Sequence, residues 1–438
     1  MTNDPSDQPD DGRNPFKGTP FEQFFSGAMG GLGGSGGAGG FPDLTQLFGQ
    51  LQQLMQPYDG PLNWTLATDL ARQQVATEPD PTPSQRQRDA IADAVRLADH
   101  WLDATTDFPS GVQSTAAWSR AEWVEQTLAV WKVLVEPIAK QSVDGISGAL
   151  PEEAQAQAGP LLGILGKAVG AILATQLGSG LGALAGEVLS VSDIGLPLGP
   201  AGRAALVPTN VTAFAEGLDV SEDDLLLYLA LREAAHQRLF AHVPWLRDHV
   251  IGAVTDFAHG IQVNVEGMQA RMDEQLRGID PSNPEAIQSL LEGGMFDMPK
   301  TPAQEAALQR LEVVLALVEG WVDEVVSQAT VERMPAAAKL QETFRRRRAA
   351  GGPAEDTFST LVGLELRPRR LRDASTLWGS LRTRQGVEAR DGVWMHPDLL
   401  PTPADLDDPL GFREDATAPE ILSDDDFDSE LKKMLDGE

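Results

Sequence analysis

The sequence contains no cysteine, which excludes disulfide bridges and every metal site built on thiolates. Cations are scarce as well: 34 lysines and arginines stand against 65 acidic residues, a formal net charge of −31. Phosphate neutralisation needs clustered positive charge, so no nucleic-acid partner is expected. The same imbalance favours solubility and is repelled by anionic membrane surfaces. Met1 to Asp11 lack the basic-then-apolar order of a secretion signal, and the cytoplasm is the expected compartment. Strand signals are few. Residues 205–211 read as a short edge strand, because Pro208 cannot donate to a ladder.

What is there reads as helix. Residues 1–58 form a polar leader with the run Gly30-Gly31-Leu32-Gly33-Gly34-Ser35-Gly36-Gly37, too poor in apolar area to offset its ordering entropy. Phe21, Phe24 and Phe25 precede those glycines as weak docking candidates. Residues 59–401 carry the globular body, and residues 402–438 turn into an acidic tail whose last piece, Ser429 to Leu435, suits a short partner-induced helix. Ser119 and Glu122 have capping-box spacing, and Trp118 and Trp123 are placed to staple that helix start. From Leu361 to Trp394, apolar and arginine-rich pieces alternate without clear periodicity.

Residues 163–188 place Gly166, Gly170, Ala174, Gly178, Gly182 and Gly186 at every fourth position. Small residues so spaced admit a second backbone at close range. The 19 uncharged residues between Lys167 and Glu187 approach a membrane span in length, which keeps a membrane-associated scaffold as one alternative. A tightly packed helix pair is preferred, since the glycines depress hydropathy and Leu177-Gly178-Ser179-Gly180 is suited to breaking the helix.

The residues with chemistry lie further on. Ser221 caps a helix whose first turn is acidic, and within that helix stands Arg232-Glu233-Ala234-Ala235-His236. In a HExxH zinc site, residues i and i+4 face the same way, so two imidazoles meet one ion while the glutamate polarises its water. Here Arg232 replaces the first histidine, and a guanidinium has no lone pair to give a metal. His242 is nearly on the opposite face, and His249 and His259 reach the site only through tertiary folding. A second helix begins with Thr301, Pro302 and Gln304 and carries the apolar stripe Leu308, Leu311, Leu315, Val318, Val322 and Val325. Glu319 falls on that stripe. A carboxylate there needs a cation, and Arg232 is the expected one. The arginines 345–348, with Arg367, Arg369, Arg370 and Arg372, are expected to pair with the chain's own acidic tail or an acidic partner. His396 before Pro397 reads as a loop-packing residue.

The segments Leu231-Arg232-Glu233-Ala234-Ala235-His236, Phe240-Ala241-His242-Val243-Pro244-Trp245-Leu246, Val318-Glu319-Gly320-Trp321-Val322, Arg367-Pro368-Arg369-Arg370-Leu371-Arg372 and Arg390-Asp391-Gly392-Val393-Trp394-Met395-His396-Pro397-Asp398 together resemble the zincin-like metallopeptidases. These are bacterial proteins described as zinc-dependent metalloproteases or hydrolases, with a related branch associated with deazaflavin coenzyme biosynthesis. The resemblance covers most of the chain after Asn63-Trp64. It implies a mainly α, zincin-like helical body with minor short β structure. It transfers Glu233 as general base and His236 and Glu319 as zinc ligands, but no first histidine. The expected protein is therefore a catalytically impaired pseudoprotease that binds peptide or protein, with zinc weak or absent. An active zinc-dependent metalloprotease with an unidentified third ligand is the alternative.

Overall fold

A computed structural model describes residues 58–148, 152–259, 301–350 and 370–413, all within one unit spanning Leu54–Glu438. The leader phenylalanines, Arg367, Arg369 and the Ser429–Leu435 segment lie outside the described residues. Among the described residues the protein is helical apart from two four-residue strands, as expected from the sequence.

The first helices form where their caps dictate. Asn63 accepts from the Leu66 amide and starts α1 (Trp64–Val75). Ser84 and Gln87 make a reciprocal capping box at the head of α2 (Gln85–Leu102), which buries Ile91, Val95, Ala98 and Leu102 along one stripe. Strand β1 (Ser114–Ala117) leads into α3 (Arg120–Gly148), opened by the expected pair: the Ser119 amide donates to Glu122 and the Glu122 amide to Ser119 Oγ. Trp118 and Trp123 are buried beside it.

Helix α4 (Glu152–Glu187) runs unbroken through Leu177–Gly180, where a break had been expected. The reason is close packing on α1. A Cβ on Gly178 would lie 2.5 Å from the Ala67 carbonyl oxygen, and one on Gly182 would lie 2.5 Å from Gln74 Cβ. Gly178 and Gly182, which weaken the helix locally, are the residues that let α1 approach, and the burial gained on both partners outweighs their poor propensity. Its Val169–Glu187 part is long and apolar enough to cross a membrane by length and composition, and half of it is buried inside the protein.

After α4 a buried loop, residues 188–199, leads to β2 (Arg203–Leu206), which pairs in parallel with β1, Ser114 opposite Arg203 and Ala117 opposite Leu206. The strand expected at 205–211 is thus shifted towards the N-terminus. Pro208 opens α5 (Pro208–Ala215) instead, at the helix position where a missing N–H costs nothing.

Helix α6 (Glu222–His242) starts on the Ser221 cap and ends before Pro244, which begins α7 (Pro244–His259). From Tyr228 to Leu239 every residue of α6 is buried. Such a helix is central, with partners on all sides, and its polar side chains must find theirs internally. Helix α8 (Pro302–Thr330), with the Thr301–Gln304 capping box, is equally enclosed from Val314 to Val326. Two further helices close over this pair: α9 (Ala337–Ala350) and α10 (Leu371–Gly392). The stretch without clear periodicity therefore contains a long helix, interrupted only at Gly386, whose φ of 91° no other residue type adopts easily. The body also extends past residue 401, where the charge pattern placed the tail. Helix α11 (Pro403–Asp407) and the turn after it bury Leu406 and Phe412, and Arg370 pairs with Asp407 at 2.7 Å.

Candidate functional site

Helical spacing puts Arg232 and His236 on one face of α6, opposite Glu319 on α8. The Arg232 guanidinium lies 2.5 Å from Glu319 Oε2, and His236 Nε2 lies 3.0 Å from Glu319 Oε1. His236 Nδ1 is 2.8 Å from the Arg232 carbonyl, one helical turn back. A carbonyl oxygen can only accept, so Nδ1 carries a hydrogen and the ring is fixed with Nε2 towards the carboxylate. All three side chains are buried, Glu319 completely.

A fourth member comes from α9. Arg348 donates to Glu319 Oε1 at 3.2 Å and lies 3.8 Å from Asp193 Oδ1. Asp193, in the 188–199 loop, also faces Arg347 at 3.3 Å and accepts the Leu189 amide. Arg345, from the same helix, donates to Asp323 on α8, which also accepts from Ser375 and Gln341. Among the described residues Arg345, Arg347 and Arg348 thus pair with buried carboxylates of the body and Arg346 with Glu342 of its own helix, while Arg370 makes the expected pairing with the acidic tail, at Asp407. Phe344 lies over the Arg232 guanidinium at 5.3 Å and walls the cluster off.

Burial alone would drive Glu319 towards protonation, but Arg348, Arg232 and His236 overcome it and hold the carboxyl far below the usual carboxylate range. Asp193 is lowered likewise, burial being outweighed by Arg347 and Arg348. Glu233 behaves in the opposite sense. It faces away from that cluster into the 188–199 loop, accepting the Ser192 amide at 3.1 Å and the Gln237 amide group at 2.8 Å. Burial pushes its carboxyl up, and the opposing influence of His236 and these donors is insufficient to reverse it. Gly195 completes the enclosure. Its φ of 77° suits only glycine, and a Cβ there would stand 2.9 Å from Glu319 Oε1.

The remaining histidines are elsewhere. His242 stacks on Phe108, His249 packs edge-on against Trp245, and His396 accepts from the Asp398 amide in an exposed turn. A pocket of 260 Å³ between α2, α8 and α10 is lined by residues such as Thr105, Gln328, Arg333 and Arg382, and by none of the cluster.

The cluster does not fit a zinc ion. Arg232 cannot ligate, Arg348 occupies the oxygen nearest His236 Nε2, and each Glu319 oxygen already has a guanidinium on it. Among the described residues no group of three metal-binding side chains converges.

The family described as zincin-like metallopeptidase matches residues 62–412. The chain belongs to this family. A solved structure described as "a putative hydrolase with a novel fold", from Chloroflexus aurantiacus, shares the fold at a TM-score of 0.53 and 21% identity, over 80% of this chain and 96% of that one. Among curated proteins none matches the sequence.

This zincin-like chain has a second buried cluster, in the Arg390–Asp398 segment. Arg390 bonds Glu324, Asp391 and the Thr105 carbonyl, while Asp391 accepts from Thr106, the Asp107 amide and Trp321. These contacts tie α10 to α8 and to the end of α2, so this segment of the resemblance works as a structural clamp.

The sequence reading did not find Arg348, Asp193, Ser192 or Gly195. For Arg348 a signal existed: it extends the buried stripe Leu340, Phe344 at four-residue intervals. The loop residues carry no comparable periodic sign.

Proposed function

We propose that this zincin-like protein is a catalytically silent pseudoprotease that acts by binding peptide or protein in the cytoplasm, without zinc. One observation carries the reading: the Arg232 guanidinium sits on Glu319 at 2.5 Å, inside a cluster buried on every side. A general base needs a water and a substrate beside it, and Glu233 has the 188–199 loop there instead. Recognition then uses another surface, and the net charge of −31 favours neutral or basic peptides over anionic ones.

Metal analysis of the purified protein is the test. Zinc well below one per chain is expected, with no chelator-sensitive peptide hydrolysis. Near-stoichiometric zinc that disappears in His236→Ala would overturn the reading. Titration with peptides of graded charge tests the binding half, and equal failure of all of them removes it.

The fixed attitude of His236, Nδ1 on the backbone and Nε2 on the carboxylate, supports a second reading, in which the protein is a zinc-dependent peptide-bond hydrolase. Activity that survives dialysis and dies in Glu233→Gln would favour it.

A further inference from the structure

We infer that Arg348, delivered by α9, is the second half of a two-guanidinium substitute for a divalent cation, and that it excludes metal independently of the altered α6 motif. This deepens the reading above and rests on it. A divalent ion between His236 and Glu319 would bring two positive charges to a buried carboxylate. Arg232 and Arg348 bring the same two, one to each oxygen of Glu319.

The geometry separates their roles. Arg232 holds Oε2, so restoring a histidine there frees that oxygen alone. Oε1 is the oxygen that faces His236 Nε2, and Arg348 reaches it at 3.2 Å. An ion bridging His236 and Glu319 needs this place. Arg348 is not free to leave it: Asp193 engages the same guanidinium, the Leu189 amide fixes Asp193, and the Leu340–Phe344–Arg348 stripe is buried. Gly195 packs on Oε1 from the loop, so the carboxylate cannot swing aside in that direction. A buried guanidinium beside an incoming dication would also repel it through a low-dielectric medium, where such repulsion is strongest.

The experiment titrates zinc, and cobalt as a coloured probe, into four full-length proteins: wild type, Arg232→His, Arg348→Gln and the double variant. Circular dichroism first confirms that each is folded. The expected result is negligible binding by wild type and both single variants. The double variant should bind at least about tenfold more tightly than Arg232→His, the lower end of what neighbours of metal ligands contribute. Its cobalt complex should show the intense visible bands of a low-coordinate site. Arg232→His binding as tightly as the double variant would overturn the inference while leaving the silent-protease reading intact. Stoichiometric zinc in wild type would sink both. Should the double variant fail to fold, the singles decide: Arg348→Gln should lower the melting temperature as Arg232→Gln does. An Arg348→Gln protein as stable as wild type would show that Arg348 does not hold Glu319.

Discussion

Glu319→Gln is the perturbation that interrogates the cluster most directly. The substitution keeps the shape and one acceptor but removes the charge against which Arg232, Arg348 and His236 are set. Arg348 retains Asp193 at 3.8 Å, whereas Arg232 loses the only ion pair it makes among the described residues. Removing one partner of a buried pair leaves the other charge uncompensated and costs roughly 3–5 kcal/mol. Because Glu319 is fully enclosed, no solvent discount applies. At two to three degrees per kcal/mol in a body of this size, the melting temperature should fall by roughly 6–15 °C. Calorimetry at pH 7 measures it, and urea unfolding gives the free energy. The pH dependence supplies a second check. The depressed carboxyls of Glu319 and Asp193 contribute stability that is present above the ordinary carboxylate range and lost as pH falls below it. The gap between wild type and Glu319→Gln should therefore narrow in acid. A loss below about 1 kcal/mol, the scale of an exposed pair, would mean that water reaches the site and that the enclosure described above is wrong.

Glu233→Gln should behave differently. Its carboxyl is raised by burial, so its contribution is present at low pH and lost as pH rises through the folded value; the variant should unfold no earlier than wild type at pH 7, with its relative advantage growing with pH. A drop like that of Glu319→Gln in the same melts would refute this. Gly178→Ala, with a Cβ 2.5 Å from the Ala67 carbonyl, should cost about 1–3 kcal/mol despite alanine's better helix propensity. Gly186→Ala, with nothing within 4 Å, should gain about 0.5–1 kcal/mol, and urea midpoints read both. Deleting residues 1–40 or 414–438 should leave the melting temperature nearly unchanged on compositional grounds, whereas a cut at 402 should lower it by removing Leu406 and Phe412 from the core.

The helix starts were readable because caps are local: Ser119 with Glu122, Ser221 and Thr301 with Gln304 each satisfy amides within three residues. The pairing of Arg232 with Glu319 was readable because a carboxylate on an apolar stripe demands a cation, and the resemblance placed the two helices together. The same reasoning applied to Leu340, Phe344 and Arg348 would have identified Arg348, but four adjacent arginines resemble a solvated charge block and hid the stripe. The break expected at Leu177–Gly180 failed because helix propensity ranks residues without a neighbour, and α1 supplies one. Asp193, Ser192 and Gly195 act through loop geometry, which tertiary contacts set.

The Arg390–Asp391 clamp also governs when the protein can finish folding during synthesis. Its bonds to Thr105 and Thr106 span 285 residues of chain. At 5–20 residues per second, the ribosome delivers those partners roughly 15–60 s apart. Late in that interval α8 exists without Arg390 and Asp391, which bond Glu324 and Trp321, while Arg238 on α6 already holds the end of α2 through Asp99, Asp103 and the Phe108 carbonyl. A nascent chain arrested before residue 390 should be cleaved by protease near Thr105 more readily than one extended well beyond residue 413, in which Arg390 and Asp391 close on Thr105 and Thr106.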